Sequence, residues 1–287
     1  MTSLPVDTSA VVSRPSLVGA MPKPVVRKDH SGIGKLVILV VILGVWEAIV
    51  RGFKVPEILV PTPTSILEAL WQDFNVPYSS PLALHEPTLM TMYKALFGLT
   101  TGSVLGLALA MALSRFRVVE TYAMTYIMAF QSMPKVAIAP LLIVWCGFGP
   151  TSTIVLVTAS CFFPVLVSGL AGFKSTDQDR IDLLRSLGAT KAQIFWSVVF
   201  PSAMPFIFSG LQIALVTCLL STIVGEFVNG RDGLGARILA ANNVLDIAQV
   251  FAVMIILGCM AALFDWVLRF TRRKVLFWSP GEQRAYK

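Results

Sequence analysis

Few residues in this chain set a charged or reactive side chain in apolar surroundings, and they mark what chemistry is open to it. Lys135 lies in the middle of the run SMPKVAIAPLLIVWCGFG, directly after Pro134, with Gln131 and Ser132 just before it. Glu226 closes another long apolar run at VGEF. An ionisable group within a membrane-crossing run is expensive to bury and points to function by default. Lys135 could help an anion across, or it could snorkel or take a carbonyl freed by the Pro134 break. Gln131 and Ser132 could add hydrogen bonds on the same path. Glu226 could gate an outer mouth or form an ion pair with Arg231 or Arg237. Covalent or metal chemistry finds no support. There is no GxSxG and no HExxH, and the two histidines, His30 and His85, lie in polar segments. Cys146, Cys161, Cys218 and Cys259 each stand alone in an apolar run, so neither a disulfide nor a metal site is expected. No GxxxxGK[ST] is present to cradle a nucleotide phosphate, so no cofactor is expected in this chain.

A different kind of site is spelled by Asp182 to Pro201, DLLRSLGATKAQIFWSVVFP. From Asp177 to Trp196 the chain carries Asp177, Asp179, Arg180, Asp182, Arg185 and Lys191. Each would cost about 2.5–3.5 kcal/mol at a bilayer centre, so the stretch stays in water. Its pattern is nevertheless helical. Ile181, Leu184 and Leu187 recur at the spacing of one apolar face, Gly188 interrupts, and Ala189, Ala192 and Phe195 resume it. The spacing predicts two short amphipathic helices hinged at Gly188, where a positive φ costs least, and Pro201 suits the first turn of the helix that follows. Such a helix-turn-helix either presents a surface to a soluble partner or lies on lipid headgroups.

These segments are set in a strongly apolar chain. Of its 287 residues 55% are hydrophobic and 14% charged, with a mean hydropathy of +0.75. A soluble domain would carry roughly 25% charged residues, so the fold class is all-α, polytopic and membrane-spanning. Residues 1–34, rich in Pro, Ser and Val and without an apolar core, read as a disordered tail rather than a signal peptide. Six spans follow: Leu36 to Val50, Thr88 to Leu113, Val118 to about Phe148 with a break at Pro134, Thr151 to Gly172, Ser202 to Phe227, and Ile247 to Phe270. The membrane-spanning region is 35–271, with the amphipathic loop at 174–201 and a basic tail at 272–287. Glu47, near the end of the first span, reads as an interfacial residue or a functional carboxylate. Thr64 can cap an amphipathic helix with Ile66, Leu67, Leu70 and Trp71 on its apolar face. Gly98, Gly102 and Gly106 recur at every fourth residue, a face for close helix packing.

Seventeen of the 23 Lys and Arg residues fall on one side of this arrangement, and only Arg51, Lys54, Arg231 and Arg237 on the other. By the positive-inside rule both termini and the amphipathic loop are cytoplasmic. The net charge of +7 thus belongs to topology, not to nucleic acid.

The loop resembles the cytoplasmic "EAA" loop of ABC-importer permeases. Asp182-Leu183-Leu184 takes the EAA place and keeps its acidic first residue, Gly188 follows after three residues, Val198 after nine more, then Phe200-Pro201. With LVPTPTSILEALW, the SMPKVAIAPLLIVWCGFG run, SGLQIAL, VGEFVNGRDGLG and the closing Phe277-Trp278, residues 58–280 resemble the nitrate/sulfonate/taurine branch of binding-protein-dependent permeases. The resemblance implies a six-helix type I importer permease in the plasma (inner) membrane. It pairs with a second permease copy, is served by an extracytoplasmic solute-binding protein, and holds two ATPase subunits that bind the ATP and Mg. It further implies that Asp182, Leu183, Leu184, Arg185, Leu187, Gly188, Ala189, Ala192 and Pro201 couple the ATPase to the spans, and that the permease works by alternating access. Small anions suit Lys135; aromatic acids, pyrimidine precursors and riboflavin are carried by similar permeases. An ATP-independent transporter or a channel would not need the loop.

Overall fold

A computed structural model describes residues 31–75 and 84–278, and every regular element among them is helical. The expected tail up to residue 30 and the last nine residues, 279–287, lie outside the described residues. The described residues up to Val45 form one unit and those from Trp46 onward another. Helix α1, Ser31–Gly52, holds the first expected span, and Val37 to Leu43 expose their apolar side chains, as a lipid-facing run requires.

Within the second unit α2 (Pro63–Asn75), α3 (His85–Leu113) and α4 (Arg117–Ser132) come first. Then follow a 3₁₀ turn at Lys135–Ile138, α5 (Ala139–Cys146), α6 (Pro150–Lys174), α7 (Gln178–Ser186), α8 (Lys191–Ile194), a π-helical turn at Phe195–Val199, α9 (Phe200–Asn229), α10 (Leu234–Asn243) and α11 (Ile247–Val275). Among the described residues four helical runs are long and apolar enough to cross a bilayer: α3, α6, α11 and the continuous run Lys191–Asn229. Val118–Ser132 and Lys135–Cys146 together make a further span bent by 78°. Proline causes the bend. It forces Met133 out of the helical region to φ −68°, ψ 139°, and ends α4 there.

The core is built by α3, α6 and α9. Gly98, Gly102 and Gly106 are buried along one face of α3, against α6. A Cβ on Gly98 would lie 2.5 Å from Val157 Cγ1, on Gly102 2.5 Å from the Thr158 carbonyl oxygen, and on Gly106 2.6 Å from the Phe162 carbonyl oxygen. On its other face α6 meets α9 in the same way: a Cβ on Gly172 would lie 2.9 Å from the Ala203 carbonyl oxygen, and one on Gly210 2.7 Å from Ser168 Cβ. Such backbone-to-backbone approach is how helices attract one another in lipid, where hydrophobic burial gives no preference. Hydroxyl pairs cross the same seams, Thr101 with Thr158 at 2.8 Å and Ser160 with Ser221 at 2.7 Å.

Helix α2 departs from its expected cap and face. Thr62, not Thr64, accepts from the Ser65 amide, because the helix starts at Pro63. Thr64 instead gives its hydroxyl and its amide to Glu47, which also pairs with Arg51. Leu67 and Trp71 are exposed, while Ile66 and Asp73 are buried. Gln249 of α11 donates to Asp73, and burial pushes the Asp73 carboxyl above its ordinary value.

Gly102→Leu should prevent a monodisperse membrane protein from forming, and Gly102→Ala should lower the midpoint of thermal unfolding in detergent, as overpacking costs about 1–3 kcal/mol. Gly258→Ala in α11, where an added Cβ meets nothing within 4 Å, is the control and should leave that midpoint unchanged or raised.

Candidate functional site

The stretch Asp177–Pro201 folds as a helix-turn-helix between α6 and α9. Asp177 caps α7 by accepting from the Asp179 amide. The helix closes with paired bonds, Gly188 amide to the Arg185 carbonyl and Ala189 amide to the Leu184 carbonyl, both 3.0 Å. That closure requires Gly188 at φ +80°, a conformation costing a residue with a Cβ about 1–2 kcal/mol. Nothing lies within 4 Å of an added Cβ there, so backbone strain alone selects the glycine. Thr190 and Gln193 then form a reciprocal capping box that starts α8.

The second stem has no joint. From α8 the helix runs through the π turn into α9, with Pro201 in its first turn. A π turn within an α-helix is rare and recurs at functional positions. On the first stem Leu183 and Leu187 are 62% and 73% exposed, and on the second Trp196 is 61% exposed. Asp182, Arg185 and Ala192 are exposed beside them, with Asp182 and Arg185 paired at 2.8 Å, while Leu184 and Ala189 are half-buried. Leucines exposed on a charged loop form an apolar surface suited to a partner.

At the far end of α9 lies a buried polar knot. Lys94 and Glu226 are both fully buried and 3.1 Å apart, and Lys94 also meets the carboxylate and the carbonyl of Asp232 at 3.1 Å. Thr91 donates to Glu226 at 2.8 Å and accepts from the Leu234 amide. The Gly235 amide donates to the other Glu226 oxygen at 2.8 Å. Asn229 bonds both backbone groups of Gly149 and reaches Asp232. Gly233, at φ +98°, leaves room for the carboxylate: a Cβ would lie 2.0 Å from Glu226 Oε1. The motif VGEFVNGRDGLG thus wraps a loop around an ion pair. Glu226 pairs with Lys94 rather than with Arg231 or Arg237; the signal in the sequence is a lysine and a glutamate in two apolar runs, since neither charge can stay unpaired in lipid. Arg231 lies over the Phe148 ring.

Lys135 opens the 3₁₀ turn after the break, with its Nζ 5.3 Å from the Phe163 ring centre. Among the described residues it meets no carboxylate. Ser132 donates to the Met128 carbonyl, and Gln131 Oε1 is buried with no hydrogen-bond partner among the described residues. Lys135, Gln131 and Ser132 therefore gather at one bend, while Glu226 sits in the distant knot.

An all-helical membrane bundle of glycine-packed spans, with a helix-turn-helix held out on one loop, has the architecture of a transporter's membrane subunit. The family of the binding-protein-dependent transport system inner membrane component matches residues 102–276, and the chain belongs to that family. It is an ABC-importer permease. It is 30% identical to the taurine transport system permease protein of Escherichia coli, over 91% of this chain and 94% of that one. The riboflavin transport system permease protein of Chloroflexus aurantiacus is 30% identical over 89% of this chain and 93% of its own. Among solved structures, the MetNI methionine ABC transporter in an inward-facing conformation shares the fold, with a TM-score of 0.53 at 20% identity, covering 75% of this chain and 98% of that one.

Removing one charge from the knot strands the others, which costs about 3–5 kcal/mol in a buried pair. Lys94→Met and Glu226→Met should each strongly lower the thermal midpoint in detergent, and the double variant should lie above the worse single. A double variant at the sum of the two losses would mean that the charges act independently.

Proposed function

We propose that this permease is driven by ATP hydrolysed on a separate cytoplasmic ATPase, which docks on the helix-turn-helix at 178–194. The observation that carries this reading is the pair of exposed leucines, Leu183 and Leu187, on a loop whose second stem runs without a joint into α9. A docked partner that shifts α8 must move the start of α9, and α9 is packed against α6 too closely to slide past it. Displacement of the loop thus becomes tilting of the core helices, the motion that alternating access needs. Gly188 sets the angle between the stems, Asp182 and Arg185 orient the surface, and Ala189 and Ala192 keep it low enough for a partner to approach. The Lys and Arg asymmetry supports an inner-membrane chain with both termini and this loop in the cytoplasm. A second permease copy and an extracytoplasmic binding protein complete the assembly.

The cargo is a small anion of sulfonate, taurine or nitrate type. The similarity to a taurine permease supports this, as does Lys135, whose ammonium lies over the Phe163 ring at the bend and, among the described residues, meets no carboxylate. Glu226 serves the path from outside it, by fixing α3 against α9. A larger neutral or aromatic cargo is the second reading, favoured by the equal identity to a riboflavin permease.

Gly188→Val, and separately the pair Leu183→Asp and Leu187→Asp, should leave the permease in the membrane and cut copurification of the ATPase by tenfold or more. Normal binding and ATP turnover in both would remove the docking reading. Lys135→Met should reduce uptake of taurine into proteoliposomes severalfold with the ATPase still bound; unchanged uptake would take Lys135 off the path.

A further inference from the structure

Both stems of the helix-turn-helix are gripped by the segment that begins α4. Glu120, in the first turn of α4, is buried and forms an ion pair with Lys174, the last residue of α6 and so the root of the first stem. Arg115, in the turn before α4, stacks its guanidinium 5.7 Å from the ring centre of Phe195, where the second stem enters its π turn. Phe173, next to Lys174 in α6, sets its ring centre 5.7 Å from that of Phe195 and 6.5 Å from that of Phe200. Beyond Glu120, α4 runs uninterrupted to Ser132 and ends at the Pro134 break, where Lys135 begins the next turn. Its inner face, including Ile127, belongs to the same apolar cluster as Phe173 and Ala203.

We propose that Arg115 and Glu120 form a clasp that carries displacement of the helix-turn-helix along α4 to the Pro134 bend. They are positioning residues, remote from any cargo, and the proposal rests on the reading that the loop docks an ATPase. An aromatic contact on one stem and a charge contact on the other constrain the loop at two points. A twist of the loop then becomes a pull on α4 as well as on α9. The bend can yield to that pull because Pro134 leaves it without a continuous hydrogen-bond ladder. The competing explanation for Glu120 is that its charge merely suits the N-terminus of α4. Exchanging the two charges separates these, since a lysine at 120 would oppose the helix dipole yet restore the pair.

The test uses the permease in complex with its ATPase, carrying Ser132→Cys as a reporter and with the exposed Cys146 and Cys259 replaced by alanine. The rate of maleimide labelling at residue 132 is measured without nucleotide and after trapping with ATP and vanadate. The rate should differ severalfold between the two states. Glu120→Gln and Lys174→Gln should each abolish the difference while ATP turnover persists, and Glu120→Lys with Lys174→Glu should restore most of it. Lys174 is more than half exposed, so its variant reads the clasp even if Glu120→Gln folds poorly. A full difference in both single variants, or none in the unaltered clasp, would overturn the proposal. A chain that holds no ATPase at all would instead overturn the docking reading, and the clasp with it.

Discussion

Close contact between backbones is the constraint on which the rest of this structure depends. In lipid, leucine-to-leucine packing between helices is no better than leucine-to-lipid packing, so the spans must cohere by approach closer than side chains normally allow. Glycines on α3 meet α6, and α6 in turn meets α9 where Gly172 and Gly210 leave no room for a Cβ. The three helices consequently behave as one block. Hydroxyl pairs and the thiols of Cys161 and Cys218, which donate to the Ala214 and Ala95 carbonyls, fix its register.

A block of this kind can only be worked from its ends. At one end the fully buried Lys94–Glu226 pair ties α3, α9 and the loop before α10 into a knot, with only the Asp232 carboxylate among its charges reaching the surface. At the other, α8 and the π turn prolong α9 into a surface bearing leucines and charges. The two ends differ in chemistry: the knot pairs the charges it buries, whereas the helix-turn-helix exposes Leu183 and Leu187. Between them the bent span holds Lys135 at a place where the helix is already broken.

Much of this was legible in the sequence, and the reasons are physical. Hydropathy revealed four of the six expected spans as long apolar helices and a fifth as a bent pair, since a bilayer leaves no alternative to such helices. Two short helices hinged at a glycine followed from an apolar period interrupted once, and Gly188 does take a positive φ. Some features needed three dimensions. The cap of α2 moved from Thr64 to Thr62 because Pro63 already occupies the first turn and Glu47 claims Thr64, a contact 17 residues away. Sequence proximity pairs Glu226 with Arg231 or Arg237, but its lysine comes from a helix 132 residues earlier. Period and composition report local preference, whereas ion pairs between helices are decided by which faces meet.

The central claim is that residues 178–194 form the docking surface and move the core through α9. Hydrogen–deuterium exchange of the membrane-embedded permease, with and without its ATPase, tests it most directly. The account predicts strong slowing of exchange in the amides of 178–194 on binding, with the glycine-packed parts of α3 and α6 slow in both states. Binding that leaves 178–194 unprotected and protects another loop would contradict it.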